Sequence, residues 1–203
     1  MYIMKHIPYL LIFLRFLSAI TILLIGYLSD SNLSRNIILF LMYFGLFTDI
    51  FDGIIARKVG VSSEKLRRLD SQTDVVFWLS IGFATYFLNP KIIQEHWKSI
   101  SLIFGMEALC YIVSLWKFGK ETCTHAWISK LWGISLLIAF TSLIGFSEAG
   151  WAFYLCMILG FISHLDVILI ILILPKWQFD VPSSYHAWQI RNGKLLKKSV
   201  LLN

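Results

Sequence analysis

The chain has 203 residues, of which 58% are hydrophobic and 16% aromatic, with a mean hydropathy of +0.72 and a net charge of +6. A water-soluble domain of this length would be far more polar, so the composition excludes an ordinary soluble protein. The basic residues lie in short segments between apolar runs rather than on one soluble face. This distribution favours anionic lipid over nucleic acid as the partner of the positive charge.

Six apolar runs approach the ~20 residues needed to cross a bilayer as a helix. They predict an all-α integral membrane protein with six transmembrane helices, over Pro8–Leu28, Ile37–Arg57, Leu69–Leu88, Ser99–Trp116, Ile128–Phe146 and Trp151–Leu174. The first run contains Arg15 and has no small-residue cleavage site. We therefore interpret it as a span and not as a cleaved signal peptide.

Lysine and arginine are concentrated in every second connection, which orients the spans. The segments around residues 57–68 and 117–130 and the tail are basic, whereas the intervening connections contain only Arg35, Lys91 and Lys98. The positive-inside rule then places both termini in the cytoplasm. Residues 1–174 are predicted to form the six-helix membrane catalytic domain. Residues 175–203 are predicted to form a basic interfacial tail lying on anionic lipid, with a disordered tail as the alternative.

Four aspartates stand at the inner ends of the second and third spans. Asp49 and Asp52 share one face of the second helix with Gly53 and Ala56, at the helical spacing i, i+3, i+4, i+7. Asp70 and Asp74 share a face of the third span, at i, i+4. Because the two helices are antiparallel neighbours, both pairs are expected at the same cytoplasmic mouth.

Four carboxylates this close would repel one another unless protons or cations neutralise them. An all-oxygen, carboxylate-rich site suits Mg²⁺ or Mn²⁺, whose coordination is commonly completed by phosphate oxygens or water. Two such ions that clamp a phosphoryl group are an established catalytic arrangement. Arg57, at the end of the same helix, would add a further cation for phosphate. The sequence thus predicts metal-assisted chemistry on a phosphate compound at the membrane surface.

This stretch resembles the family of CDP-alcohol phosphatidyltransferases. The family pattern is D-x-x-D-G-x-x-A-R, eight residues, G, three residues, D, three residues, D. Seven of its fixed positions are matched here, by Asp49, Asp52, Gly53, Ala56, Arg57, Asp70 and Asp74. Leu66 stands where the family has its second glycine. The leader from Pro8 to Arg15 is similar to the family's opening, which usually has a polar residue where Tyr9 or Ile12 stands.

The resemblance implies an enzyme that transfers a phosphatidyl group from a CDP-linked lipid, usually CDP-diacylglycerol, to an alcohol with release of CMP. It implies that all four aspartates hold divalent metal, two Mg²⁺ or Mn²⁺ ions, and that Asp74 is also the base for the acceptor hydroxyl. Gly53, Ala56 and Arg57 would face the CDP moiety. It further implies a role in phospholipid biosynthesis, a homodimer, and the bacterial inner membrane with the site facing the cytoplasm.

Two basic residues are candidates for substrate binding. Arg15, about two turns into the first span, could reach the phosphate site or could extend its charge to the interface. Lys130, at the start of the fifth span, could bind the phosphate of an acceptor or could serve only to orient the span. In the sixth span His164 and Asp166, with Ser163, are interpreted as partners in interhelical hydrogen bonds, with acceptor-pocket contacts as the alternative. Glu107 in the fourth span is interpreted as a protonated or paired buried carboxyl.

The acceptor is left open by the sequence. The sequence Leu69-Asp70-Ser71 is similar to that of several branches of the family, including those that make phosphatidylserine. Arg15 and Lys130 instead favour a phosphorylated acceptor such as glycerol phosphate or inositol phosphate. Two other classes of function remain as alternatives. One is a membrane transporter that uses the aspartates for coupling, although such sites tend to lie near the midplane. The other is a non-catalytic lipid- or nucleotide-binding relative.

Overall fold

A computed structural model describes residues 6–61, 63–122, 124 and 126–194, and within them the chain is helical and contains no strand. The helices are α1 (Ile7–Leu28), α2 (Asn32–Val59), α3 (Glu64–Leu88), α4 (Pro90–Glu95), α5 (Trp97–Phe118), α6 (Trp127–Thr141), α7 (Trp151–Ile173) and α8 (Ser184–Arg191). A π-helical turn, Ser142–Phe146, continues α6.

Five helices are long and apolar enough to cross a membrane: α1, α2, α5, α7, and α6 together with its π-helical turn. The predicted all-α integral membrane fold is thereby confirmed. The sixth predicted span lies within α3, which has 25 residues but carries several charges in its first turns. Six spans and the cytoplasmic placement of both termini stay predictions.

Capping residues explain why α2 and α3 extend beyond their apolar parts. The Ser31 side chain accepts a hydrogen bond from Ser34 N–H at the start of α2, and Gly60 ends that helix with φ of 71°. The Ser63 side chain accepts a hydrogen bond from Leu66 N–H, so α3 begins at Glu64, five residues before the predicted span. The connection between the two helices is therefore short, and they run antiparallel.

The chain forms two compact units. The first contains α1 to α4 and residues 140–149, and the second contains α5, most of α6, α7 and α8. In the first unit α1 packs against both α2 and α3. Glycine permits the closest approach, because a Cβ atom added at Gly26 would lie 2.6 Å from the Cβ atom of Ala84.

Arg35, near the start of α2, ties several chain segments of the first unit together. Its guanidinium donates to Asp30 Oδ1 at 2.8 Å, to the Ile144 carbonyl at 2.9 Å and to the Leu88 carbonyl at 3.2 Å. The Asn89 amide adds a bond to the Leu143 carbonyl at 2.9 Å. This end of the unit is held by polar bonds to backbone groups at helix ends.

In the second unit a buried histidine joins α5 to α7. His164 Nε2 lies 2.7 Å from Glu107 Oε2, and Nδ1 lies 2.5 Å from the Gly160 carbonyl. The carbonyl can only accept, so Nδ1 is the donor in the bond to Gly160. The ring of Trp132 on α6 packs edge-on against His164, with centroids 4.7 Å apart. The interhelical bond expected of His164 and the paired carboxyl expected at Glu107 match these contacts.

The predicted tail contains a short packed helix. Asp166 Oδ1 on α7 accepts a hydrogen bond from Ser184 N–H at 3.1 Å, which holds the first turn of α8. Ala187 and Val181 are buried against Ile170 of α7. Tyr185 and Trp188 of α8 are exposed, as an interfacial segment requires. Residues 195–203, with their two lysines, lie outside the described residues, and the division of the chain at residue 175 stays a prediction.

The close contact at Gly26 yields a stability prediction. Gly26→Ala places a methyl group against the backbone of α3, so α1 and α3 must separate, and we expect a loss of about 1–3 kcal/mol of unfolding free energy. Gly82→Ala is the matched control, because no atom lies within 4 Å of its added Cβ. Thermal unfolding in detergent measures both variants. Equal unfolding temperatures would contradict the packing described here.

Candidate active site

The predicted aspartates meet where α2 ends and α3 begins. Asp52 and Asp70 are buried, with side chains 3% and 6% exposed, whereas Asp49 and Asp74 are 37% and 28% exposed. Each helix thus contributes one inner and one outer carboxylate. The outer pair is the one that a ligand can reach.

Arg15 of α1 lies at the centre of the four carboxylates and is 1% exposed. Its Nη1 atom is 3.0 Å from carboxylate oxygens of Asp49 and Asp70. Nη1 also contacts Asp74, and Nη2 contacts Asp52. The side chain therefore points into the acidic cluster and not toward the membrane interface. Arg15 makes this a site of three helices, whereas the aspartate pattern alone predicted two.

Three of the carboxylates are placed to share a metal ion. Asp49, Asp70 and Asp74 each offer an oxygen, and these oxygens lie within 4.8 Å of one another. Oxygen ligands in this number suit Mg²⁺ or Mn²⁺, which complete their shells with water or phosphate. The donor set fits a divalent cation. Asp52 is not part of this group of three.

Gly53 and Arg57 form one feature of α2, one turn apart. A Cβ atom added at Gly53 would lie 3.3 Å from Arg57 Nη1 and 3.7 Å from Nη2. The Arg57 guanidinium therefore lies over the backbone of Gly53, in space that the Cβ atom of any other residue would crowd. A guanidinium presents the forked donor geometry that suits phosphate, and Arg57 stands five residues after Asp52 on the same helix.

The residue that departs from the family pattern, Leu66, is buried at 3% exposure. It packs with Ile12 of α1 and Ala56 of α2, and Val61 packs against this cluster. Ala56 is 2% exposed as a result. Of the three residues predicted to face the CDP moiety, Ala56 is covered by side chains of its own chain.

Arg67 is a site residue that the sequence reasoning missed. It is 5% exposed, and its Nη1 atom lies 3.9 Å from Asp70 Oδ2. In the sequence Arg67 is one of the basic residues of the segment 57–68, whose charge predicts only the orientation of the spans. The spacing i, i+3 between Arg67 and Asp70 on one helix was the available signal.

Lys130 belongs to the second unit. It is an exposed residue in the first turns of α6. The neighbouring Ser129 shares a hydrogen bond of 2.8 Å with Ser163 of α7. The predicted acceptor role of Lys130 stays a prediction.

The fold and the site together define a class of protein: an integral membrane helical protein with a carboxylate site that can hold a divalent cation. The sequence model of the family described as CDP-alcohol phosphatidyltransferase matches residues 5–174, and the chain belongs to this family. Its members are phosphotransferases that move a phosphatidyl group from a CDP-alcohol to an acceptor and generally use divalent cations. The family match favours an enzyme over a transporter. Searches of curated proteins and of solved structures gave no match.

The contacts of Arg15 yield a second prediction. Arg15→Gln leaves two buried carboxylates without their central cation, and we expect a loss of roughly 3–5 kcal/mol of unfolding free energy in the absence of divalent cations. Adding Asp52→Asn to this variant removes one of the stranded charges and should recover part of the loss. Denaturant unfolding in detergent measures the double-mutant cycle.

Lys91→Gln is the control for the loss of one positive charge, because Lys91 is exposed at the other end of the unit. It should change the unfolding free energy by no more than about 0.5 kcal/mol. An Arg15→Gln variant as stable as Lys91→Gln would show that the guanidinium does not hold the cluster.

Proposed function

We propose that this enzyme transfers the phosphatidyl group of CDP-diacylglycerol to a small alcohol, releasing CMP, as a step of phospholipid biosynthesis. The observation that carries the proposal is the convergence of Asp49, Asp70 and Asp74 within 4.8 Å, beside Gly53 and Arg57, in a chain of this family. A lipid-linked nucleotide has acyl chains that stay in the bilayer and a polar group that reaches a site at a helix end. The proposed location is a bacterial inner membrane with the site facing the cytoplasm, and the proposed assembly is a homodimer.

All four aspartates are proposed as ligands of Mg²⁺ or Mn²⁺, two ions in number. Asp49, Asp70 and Asp74 would hold one ion together, and Asp52 would contribute to the second. Bound there, the cations neutralise the diphosphate of the donor and stabilise the charge of the departing CMP. The partly exposed Asp49 and Asp74 are the carboxylates that a diphosphate would meet first.

Asp74 is proposed as the general base. It is the outer carboxylate of α3, 28% exposed, one turn beyond the buried Asp70. As the acceptor oxygen bonds to the phosphatidyl phosphorus, the hydroxyl proton passes to Asp74 and the bond between that phosphorus and the oxygen of CMP breaks. Arg15 contacts Asp74 and so holds its carboxylate in place beside the other aspartates.

The remaining predicted residues are assigned to binding. Gly53 and Arg57 would contact the CDP moiety, with Arg57 donating to its phosphates, and Ala56 is part of the same proposed surface. Arg15 and Lys130 would favour a phosphorylated acceptor. The candidate acceptors are glycerol phosphate, inositol or inositol phosphate, and serine.

One assay tests the reaction and identifies the acceptor. Purified protein in detergent is incubated with CDP-diacylglycerol, Mg²⁺ or Mn²⁺, and each of the four acceptors in turn, and CMP release is measured. We expect release with one acceptor and none after chelation of the metal. A folded preparation that releases no CMP with any acceptor would disprove the proposed function.

Asp74→Asn gives the third prediction. It removes the proposed base while keeping the shape of the side chain, and we expect kcat to fall by about 10²–10⁴, the usual contribution of general base catalysis. Glu95→Gln makes the same chemical change at an exposed carboxylate of α4 and should leave kcat unchanged. Normal turnover by Asp74→Asn would remove the assignment.

Gly53→Ala gives the fourth prediction. The added methyl group meets the Arg57 guanidinium, which must move by a few tenths of an ångström. Because Arg57 is proposed to bind donor phosphate, we expect the KM for CDP-diacylglycerol to rise by roughly tenfold, the scale of one displaced charged hydrogen bond. The KM for the acceptor should stay the same, and a selective rise in that constant would contradict the assignment.

A further inference from the structure

An apolar layer adjoins the charged site in the first unit. Ile12, Ala56 and Leu66 come from α1, α2 and α3, and each is at most 3% exposed. The three side chains contact one another as one cluster. We name them the apolar layer.

Each member of the apolar layer is one helical turn from a charged residue of the site. Ile12 precedes Arg15 by three residues, Ala56 follows Asp52 by four, and Leu66 precedes Asp70 by four. On all three helices the displacement is toward the end at which α1 begins, because α2 runs antiparallel to α1 and α3. The apolar layer therefore lies directly beside the charged cluster, on one side of it.

The backbone fixes the Leu66 side chain in this layer. Val61 N–H donates to the Ala56 carbonyl at 3.0 Å and Gly60 N–H to the Arg57 carbonyl at 3.3 Å, which is the Schellman ending of a helix. That ending packs Val61 against Ala56. Two residues later the Ser63 side chain holds Leu66 N–H at 3.2 Å. These two capping motifs fix the backbone at Leu66, and the backbone in turn places the Leu66 side chain in the apolar layer.

Both departures from the family pattern meet in this layer. Leu66 replaces a glycine, and Ile12 is one of the two positions, with Tyr9, at which the resemblance places a polar residue. A glycine at position 66 would leave the Ala56 methyl group open, whereas here Leu66 and Ile12 cover it. Any nucleotide that binds beside Gly53 and Arg57 is therefore kept from Ala56 by a side chain of about four carbons.

We propose that Leu66 is a specificity-determining residue that narrows the nucleotide site of this enzyme by occupying, with Ile12, the space against Ala56. This inference rests on the proposed function, because it takes the CDP moiety as the ligand at Gly53 and Arg57. Leu66 acts by excluded volume. It changes how well the nucleotide part of the donor binds and leaves the carboxylates that perform the chemistry in place.

Equilibrium binding of CMP and steady-state kinetics test the proposal in the full-length protein. Leu66→Gly opens the space, so we expect CMP to bind at least roughly tenfold more tightly, the scale that a few methylene groups set in a pocket. The KM for CDP-diacylglycerol should fall by a similar factor while kcat changes by less than about threefold. Leu69→Gly is the matched control, because Leu69 lies on the same helix and is 39% exposed. It should leave both constants at the wild-type values.

Leu66→Ala and Ile12→Ala open the same space and destabilise the helix less than Leu66→Gly does. They replace Leu66→Gly in the test if that variant does not fold. We expect both to tighten CMP binding by a smaller factor than Leu66→Gly. If the Leu66 variants bind CMP no more tightly than Leu69→Gly does, and the enzyme still turns over its donor, the proposal for Leu66 is wrong and the proposed function is unaffected. A wild-type protein that neither binds CMP nor releases it from the donor overturns the proposed function as well.

Discussion

The contact of one guanidinium with four carboxylates organises the first unit. Arg15 belongs to α1, whereas the aspartates belong to α2 and α3, so this cluster connects all three helices. Burying charges is costly unless partners compensate them, and two of these carboxylates are nearly inaccessible. A divalent cation bound to Asp49, Asp70 and Asp74 would add compensation on the exposed side. Arg15 and such a cation would then share the neutralisation of the same carboxylates.

The apolar layer next to this cluster has an electrostatic effect of its own. Ile12, Ala56 and Leu66 exclude water from one side of Arg15 and the aspartates. Charges interact more strongly where the surroundings are less polarisable. The attraction between Arg15 and the aspartates is therefore stronger, and replacing any one of these charges has a larger effect. A site of this kind can bind a highly charged diphosphate and stabilise a departing nucleotide without reorganising its surroundings. The chemistry depends on packing as much as on the acidic motif.

Hydropathy and spacing predicted the helices and the acidic site, because both depend on short-range periodicity. The six spans appear as helices with similar bounds, and Asp49, Asp52, Asp70 and Asp74 converge as expected from two antiparallel helices. Hydropathy and spacing do not predict contacts between residues that are distant in sequence. Arg15 was recognised as a candidate but its bonds to four aspartates were not, and Leu66 was seen only as a misfit. The packing of α8 on α7 depends on Asp166, whose partner is a backbone group that no sequence pattern marks.

Two arginines hold α2 near its two ends and so restrict where residues can be inserted or deleted. Arg35 is bonded to helix ends at one extremity of the unit, and Arg15 holds Asp52 near the other. Asp52 follows Arg35 by 17 residues, which is roughly 26 Å of helix. One inserted residue would turn the aspartate face by about 100° and displace it along the axis, and neither end could slip to absorb the change. Insertions and deletions should therefore be tolerated in the connections between helices but not within this stretch of α2.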